Sequence, residues 1–312
     1  MHNLSLLVHR LFQLLPVLLG IAVVTFLLLK LTPGDPARLL VGDRASPEAL
    51  AAARHEYGLD RPWPVQLTSY FGKLMQADLG QSIRFRKPVA DLILQFLPPT
   101  VFLVLFVLAL TIPTTLLLAV AAARDQGGWT DQAIRVFGVC GFTVPVFWVA
   151  IMLSRLLGVQ LGWFPVSGYG TGFFEHLHHL FLPALTTSIW LVPVMVQTLR
   201  AALLEKMEAD FVTAARSKGV PERGIFWRHV LPNALLPTLH LLGVMVAYLI
   251  GGTIIVEAVY SIPGLGRLMV SSILSRDYSV VQGLTLFFAF ATVLVTLLVD
   301  VATTLIDPRV RL

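Results

Sequence analysis

An ionised side chain in bilayer hydrocarbon is costly, so an ionisable residue inside a long apolar run marks either an inter-helix pair or a solute path. His240 lies early in the apolar run 235–256, Glu257 closes that run, and Asp300 lies within the run 281–305. Each reads in two ways: as a polar anchor or inter-helix pair near the end of a span, or as the lining or gate of a water-filled path. Lys30 and Arg155 sit near span ends, within snorkelling reach of the interface. Pro145, inside the run 134–157, frees a carbonyl that a neighbouring helix or water must satisfy. It is either a packing kink or a gating hinge. Glu175, His176, His178 and His179 have the chemistry of metal ligands. Their spacing matches no structural zinc motif and no cysteine or second histidine group completes one, so no metal site is expected and the cluster reads as interfacial. A Gly-x-x-x-x-Gly-Lys-Ser/Thr loop, a His-Glu-x-x-His pair and a Gly-x-Ser-x-Gly elbow are all absent. No catalytic residue is assigned, the chain is not expected to be an enzyme, and no bound cofactor is expected on it.

The elements that must position these residues follow from composition. Of 312 residues, 56% are hydrophobic and 13% are charged, with a mean hydropathy of +0.79. That balance fits a polytopic membrane protein. The single cysteine, Cys140, lies in an apolar run and reads as a small core hydrophobe; it excludes a disulfide framework. The net charge of +5 fits membrane orientation and anionic headgroups, with no nucleic-acid partner expected.

Six apolar runs reach the roughly 20 residues a bilayer requires. They cover residues 11–31, 98–123, 134–157, 180–199, 235–256 and 281–305. The first is too long for a signal-peptide core and no small-x-small site follows it, so it reads as a retained span. Arg10, Arg124, Arg135, Arg200, Lys206, Arg216, Lys218, Arg223, Arg228, Arg309 and Arg311 all fall on one side if the N-terminus is inside. The short outer loops then hold Arg267 and Arg276. The rule for positive charge thus puts both termini in the cytoplasm. Residues 32–97 carry eight Lys or Arg, but long loops translocate largely regardless of charge. The expected fold is all-α and polytopic. It has three parts: residues 1–31 (tail and first span), an extracytoplasmic segment 32–97, and a membrane core 98–312 that includes a cytoplasmic segment 205–237 between spans four and five. In the extracytoplasmic segment, Ser46-Pro47-Glu48 opens a short helix that Gly58 stops, and Asp60-Arg61-Pro62 makes a turn.

The cytoplasmic segment is the most polar part of the second half. Residues 211–218 form helix readily, Gly219 stops them, and Pro221 and Glu222 suit the first turn of a second short helix. A basic helix-turn-helix between two spans is a docking surface for a soluble partner. Thr213-Ala214-Ala215, Gly219, and His229-Val230-Leu231-Pro232 resemble the coupling loop of ABC-importer permeases, which reads Glu-Ala-Ala, three residues, Gly, nine residues, Ile-x-Leu-Pro. Thr213 replaces the Glu and His229 the Ile. Pro33-Gly34-Asp35-Pro36, Gly58-Leu59-Asp60-Arg61-Pro62, Asp78-Leu79-Gly80-Gln81-Ser82, Pro263-Gly264-Leu265-Gly266-Arg267 and Arg276-Asp277-Tyr278 are similar to motifs of B-type permeases of dipeptide, oligopeptide and nickel importers. Ser279 stands where that group has Pro.

The resemblance implies one of two membrane subunits of a bacterial inner-membrane importer of peptides, glutathione-like peptides, nickel or metal chelates. Its implied partners are a second homologous permease, two ATP-binding cassette subunits that carry ATP and Mg, an extracytoplasmic solute-binding protein, and lipid. It implies that Asp210, Thr213, Ala214, Ala215, Lys218, Gly219, His229, Leu231 and Pro232 face the ATPase. Pro145, His240, Glu257 and Asp300 are the candidates for the path. A self-contained secondary transporter or channel is the rival. It predicts inverted repeats and mid-span charges, and neither is evident.

Overall fold

In the computed structural model, residues 16–27, 31, 38, 41, 45–56 and 58–306 are described; they form helices joined by turns, with no named strand among them. Two compact units divide the chain. The first joins Met1–Pro98 to Gly264–Val293, and the second joins Pro99–Pro263 to Leu294–Leu312.

The first unit opens with α1, Pro16–Leu27, the described part of the first expected span. The Pro33-Gly34-Asp35-Pro36 motif lies outside the described residues. Helix α2, Pro47–Glu56, follows the expected Pro and Glu start, with the Ser46 hydroxyl accepting from the Ala49 amide. Gly58 stops it at φ +65. Helix α3, Trp63–Met75, was not expected from the sequence; Pro62 precedes it and Gln66 hydrogen-bonds the carbonyls of Leu59 and Arg61. Residues 78–88 form a tight loop. The Asp78 carboxylate accepts from the Gly80 amide, and Gly80 is at φ +84. Here two motifs distant in sequence meet. The buried Asp277 carboxylate accepts from the Ser82 hydroxyl and the Arg84 amide. Helix α10, Leu265–Leu274, and the start of α11, Tyr278–Ile306, complete this unit. Ser279 occupies the first turn of α11, where a proline would fit equally well.

Helix α4, Val89–Arg124, whose residues from Pro99 on belong to the second unit, is 36 residues long and begins nine residues before the expected second span. Pro98 and Pro99 suggested a start in the sequence, yet both lie inside the helix. Bilayer helices tolerate interior proline because neighbours re-satisfy the freed groups. The third expected span is a second difference. It is broken into α5, Trp129–Thr143, and α6, Val146–Leu153, the latter continuing as a π-helix, Ser154–Gln160. Pro145 caps the N-terminus of α6 at φ −59 and ψ 134, so it separates two helices rather than kinking one. Cys140 is exposed on α5, not in the core. Helix α7, Phe173–Met207, extends beyond the expected run at both ends and contains Pro183 and Pro193. Helix α8 is Asp210–Ser217. The expected second short helix is instead the first turn of one uninterrupted 38-residue helix, α9, Glu222–Val259. Among the described residues, four helices are long and apolar enough to cross a membrane, or five if the bent α5–α6 pair is one span.

Two apolar clusters hold the second unit. One gathers Leu103, Val107, Leu180, Leu191, Leu249 and Tyr260. The Tyr260 hydroxyl donates to the Ala150 carbonyl and shares a hydrogen bond with Thr186. Small residues set the closest approaches. A Cβ on Gly243 of α9 would sit 2.1 Å from a Val299 methyl of α11, far inside van der Waals contact. Gly243→Val is therefore expected to cost about 1–3 kcal/mol by overpacking, read as a fall in the melting temperature of the detergent-purified protein. Gly72→Ala, where nothing lies within 4 Å, should leave it unchanged or raised.

Candidate functional site

The polar segment between the fourth and fifth expected spans is a clamped turn. Asp210 supplies a favourable acid to the first turn of α8, while Val212 and Ala215 are buried. Gly219 follows the Lys218 cap at φ +75. The Val220 amide donates to the Ala215 carbonyl and the Gly219 amide to Arg216, the paired bonds of a Schellman end. Arg216 spans the turn to Glu222 with two hydrogen bonds, 2.6 and 3.1 Å. Beyond Pro221, α9 starts with Ile225 buried. It then widens into a π turn, Phe226–Val230, in which the Leu231 amide reaches back to the Phe226 carbonyl. Pro232 cannot donate to the carbonyl four residues before it, and a wider turn is one way a helix absorbs that loss. Asn233 reaches back to the His229 carbonyl at 2.6 Å.

This turn is packed into the second unit rather than hung from it. Val212, Ala215, Ile225, Val230, Leu231 and Ala234 share one cluster with Ala119 and Ala123 of α4 and Leu199, Ala202 and Leu203 of α7. The Arg124 guanidinium lies 5.2 Å from the Phe226 ring centre, a cation–π distance. Of the residues singled out in the sequence, Asp210, Thr213, Ala214, Lys218, Gly219, His229 and Pro232 are exposed. Ala215 and Leu231 face the cluster. They anchor the element, and the surface open to another protein is formed by the exposed set together with Phe211 and Trp227, which are 39% and 46% exposed.

The path candidates separate. Glu257 is fully buried and accepts from the Thr100 hydroxyl at 2.8 Å, with Thr253 at 3.4 Å. His240 lies on an outward stripe of α9 with Pro237, Val244, Tyr248, Gly251 and Ile255, spaced three and four apart. Tyr248 stacks on Trp190 at 5.2 Å. The Asp300 side chain lies outside the described residues. The histidine cluster serves the loop before α7. His176 donates to the Tyr169 carbonyl at 2.7 Å, His178 to Trp163 at 2.8 Å and His179 to Glu175 at 2.9 Å. Glu175 accepts from the amide and hydroxyl of Thr171.

Sequence reasoning missed one charged constellation. Asp131, in the first turn of α5 and fully buried, takes Arg200 of α7 in two hydrogen bonds of 2.6 and 2.7 Å. Arg135 lies 3.5 Å away, and the Gly127 amide also donates to Asp131. The Asp–x–x–x–Arg spacing of Asp131 and Arg135 was the available local signal; the longer link to Arg200 left none. In the turn before α5, hydrogen bonds from the Thr130 hydroxyl and amide hold the Asp125 carboxyl below its usual range.

Residues 115–312 match the family described as the binding-protein-dependent transport system inner membrane component, and residues 3–104 match its N-terminal companion. The chain belongs to this family. It is 42% identical over 311 residues to a protein of Brucella abortus (strain 2308) named as a peptide transport system permease, covering 98% of this chain and 99% of that one. It is 35% identical over 308 residues to the glutathione transport system permease protein GsiC of Salmonella typhi, covering 99% of each. A solved structure of the MetNI methionine ABC transporter, described as inward facing, shares the fold with a TM-score of 0.54 at 16% identity, over 69% of this chain and 96% of that one.

For this permease, the Asp131–Arg200 pair is a structural joint between α5 and α7. Removing the Asp131 carboxylate leaves Arg200 and the half-exposed Arg135 without their shared partner, at a cost of about 1–3 kcal/mol. Asp131→Asn should lower the unfolding midpoint of the purified permease by several degrees. Asp131→Leu combined with Arg200→Met should recover most of the loss.

Proposed function

We propose that this chain is a membrane-spanning permease subunit of an ATP-driven importer for di- or oligopeptides, glutathione-like peptides included. The relatives' names support the peptide class, and the motif resemblance extends the candidates to nickel and metal chelates. In this reading the chain crosses the bacterial inner membrane six times, with residues 1–31 and 98–312 supplying the spans and residues 32–97 outside. Both termini lie in the cytoplasm, as the distribution of Lys and Arg supports. It pairs with a second, homologous permease, docks two ATPase subunits that hold ATP and Mg, and receives solute from an extracytoplasmic binding protein.

The observation that carries the mechanism is the clamped turn between α8 and α9. The same buried cluster holds Ala215, Leu231, α4 and α7 together. A push on the exposed face of α8 is therefore delivered to three long helices as one body rather than absorbed by a hinge. Asp210, Thr213, Ala214, Lys218, Gly219, His229 and Pro232 form the ATPase-facing surface, and Ala215 and Leu231 transmit from beneath it. ATP-driven closure moves this body, and the path between the two permeases alternates its access. His240 on the outward stripe of α9 and Pro145 at the α5–α6 break line or gate that path, with Glu257 and Asp300 as polar support. The chain itself makes and breaks no covalent bonds.

Gly219 tests the reading. A β-branched residue at this left-handed φ costs roughly 1–2 kcal/mol and distorts the clamp. Gly219→Val should insert and assemble normally yet lose uptake while ATP hydrolysis continues, and Gly219→Asn should retain uptake. Normal uptake in the valine variant would reject the coupling role. In a background with Cys140→Ser, cysteines at Thr213 or Lys218 should crosslink to the ATPase, and one at buried Val212 should not. Failure of both exposed positions in every nucleotide state would remove the docking assignment.

A further inference from the structure

The second unit carries an apolar groove of about 660 Å³ between α4, α5 and α7. Its walls include Leu118 of α4, Phe137 and Gly138 of α5, and Leu185, Ile189 and Val192 of α7. Its one charged end is formed by Arg135 and Arg200. Two features make the groove. Gly138 lets α5 lie against Pro193, where an added Cβ would come within 3.3 Å of the ring. Thr114, Ser188 and Gln197 supply the few other polar groups along the walls.

We propose that this groove binds one acyl chain of an anionic phospholipid, with its phosphate held by Arg135 at the charged end. Three observations support it. Two of its three helices, α4 and α7, are long and apolar enough to cross a bilayer, so hydrocarbon is its natural content. Its lining on α7 runs from Phe181 to Arg200, about 28 Å of rise, long enough for an acyl chain crossing the roughly 15 Å of one leaflet's hydrocarbon. The charged end is at headgroup level. Trp129, 83% exposed at the start of α5, marks an interface position, and the turn 124–128 lies just beyond it.

The charges at this end are complementary to a phosphate. Two guanidinium groups share the single Asp131 carboxylate, so the triad carries net positive charge. Arg200 is spent on Asp131 through two short hydrogen bonds. Arg135 makes a 3.5 Å contact with Asp131 and its side chain is 47% exposed, so it is within reach of a phosphate. Asp125, also in the turn, is turned back on Thr130.

The test uses the assembled transporter, purified in mild detergent. It is exposed to phosphatidylglycerol or phosphatidylcholine, each bearing a photoreactive group on one acyl chain. Wild type should be labelled by phosphatidylglycerol on α4, α5 and α7, and the lipid should persist through detergent exchange. Phosphatidylcholine should label weakly. Arg135→Gln should lower retained phosphatidylglycerol about fivefold, the weight of one basic residue at an anionic surface, without altering assembly. Leu185→Trp should abolish groove labelling by either lipid, with complex assembly as the folding control. Equal labelling by the two headgroups, unchanged by Arg135→Gln, would mean ordinary surrounding lipid and overturn the proposal. A crosslink from Phe137→Cys to the second permease, with no lipid label in the groove, would overturn it in favour of a subunit contact.

Discussion

A chain in hydrocarbon must satisfy every backbone polar group from within itself, and this constraint shapes the molecule more than any single side chain does. The long helices contain prolines that each forfeit a hydrogen bond: Pro98, Pro99 and Pro113 in α4, Pro183 and Pro193 in α7, and Pro237 in α9. Several hydroxyls also donate to helix carbonyls close to these prolines without replacing the forfeited bonds: Thr186 and Thr187 to Leu182 and Pro183, Thr114 to Leu110 and Thr198 to Val194. Pro193 cannot donate to Ile189, and the Ile189 carbonyl lies 3.1 Å from where a Cβ on Gly141 of α5 would be. The glycines of α5 thus lie against the proline-disturbed stretch of α7. One helix gives up a hydrogen bond and its neighbour gives up side chains, and the two concessions fall at the same place.

That logic explains what was legible beforehand. Apolar runs are a one-dimensional signal, and they gave the existence of α4, α7, α9 and α11. The αL requirement at Gly219 and the Pro-Glu start at Pro47 are local, and both were readable. Helix ends were less so. Val89–Leu97 at the start of α4 was hidden because Pro98 and Pro99 read as a helix start, and Phe173–His179 at the start of α7 because Glu175 and three histidines interrupt the apolar run. Pro145 misled in the other direction. Interior prolines persist in α4 and α7 where neighbours compensate, yet at Pro145 the helix stops, and the sequence does not say which outcome tertiary packing will choose. The Asp131–Arg200 pair spans 69 residues, and nothing local to either residue announces the other.

The clamped turn changes the meaning of the motif that first drew notice. A family pattern invites the assumption that each of its residues touches the partner. Burial divides them instead. Ala215 and Leu231 are small and apolar because they lie under the turn, against α4 and α7. Thr213 and His229, which depart from the usual pattern, are both on the exposed side. The departures therefore fall where a partner's matching surface can change with them; of the retained positions, Ala215 and Leu231 fall where the fold of this chain sets the requirement, while Ala214 and Pro232 share the exposed side.

The same division applies outside the core unit. The loop 78–82 and the turn 276–279 resemble family motifs for no reason visible in either stretch alone. In the structure the second supplies a buried carboxylate to the first: Asp277 accepts from the Ser82 hydroxyl and the Arg84 amide, and Ser82 in turn accepts from the Phe85 amide. Gly80 supplies the left-handed turn at φ +84, and Gly283 lets α11 approach Val89, where a Cβ would lie 2.5 Å from a methyl. A buried carboxylate held by two donors is expensive to disturb, so a change in either motif is felt by the other. Two stretches nearly two hundred residues apart act as one structural element of the first unit, fixing its loop against the start of the last helix.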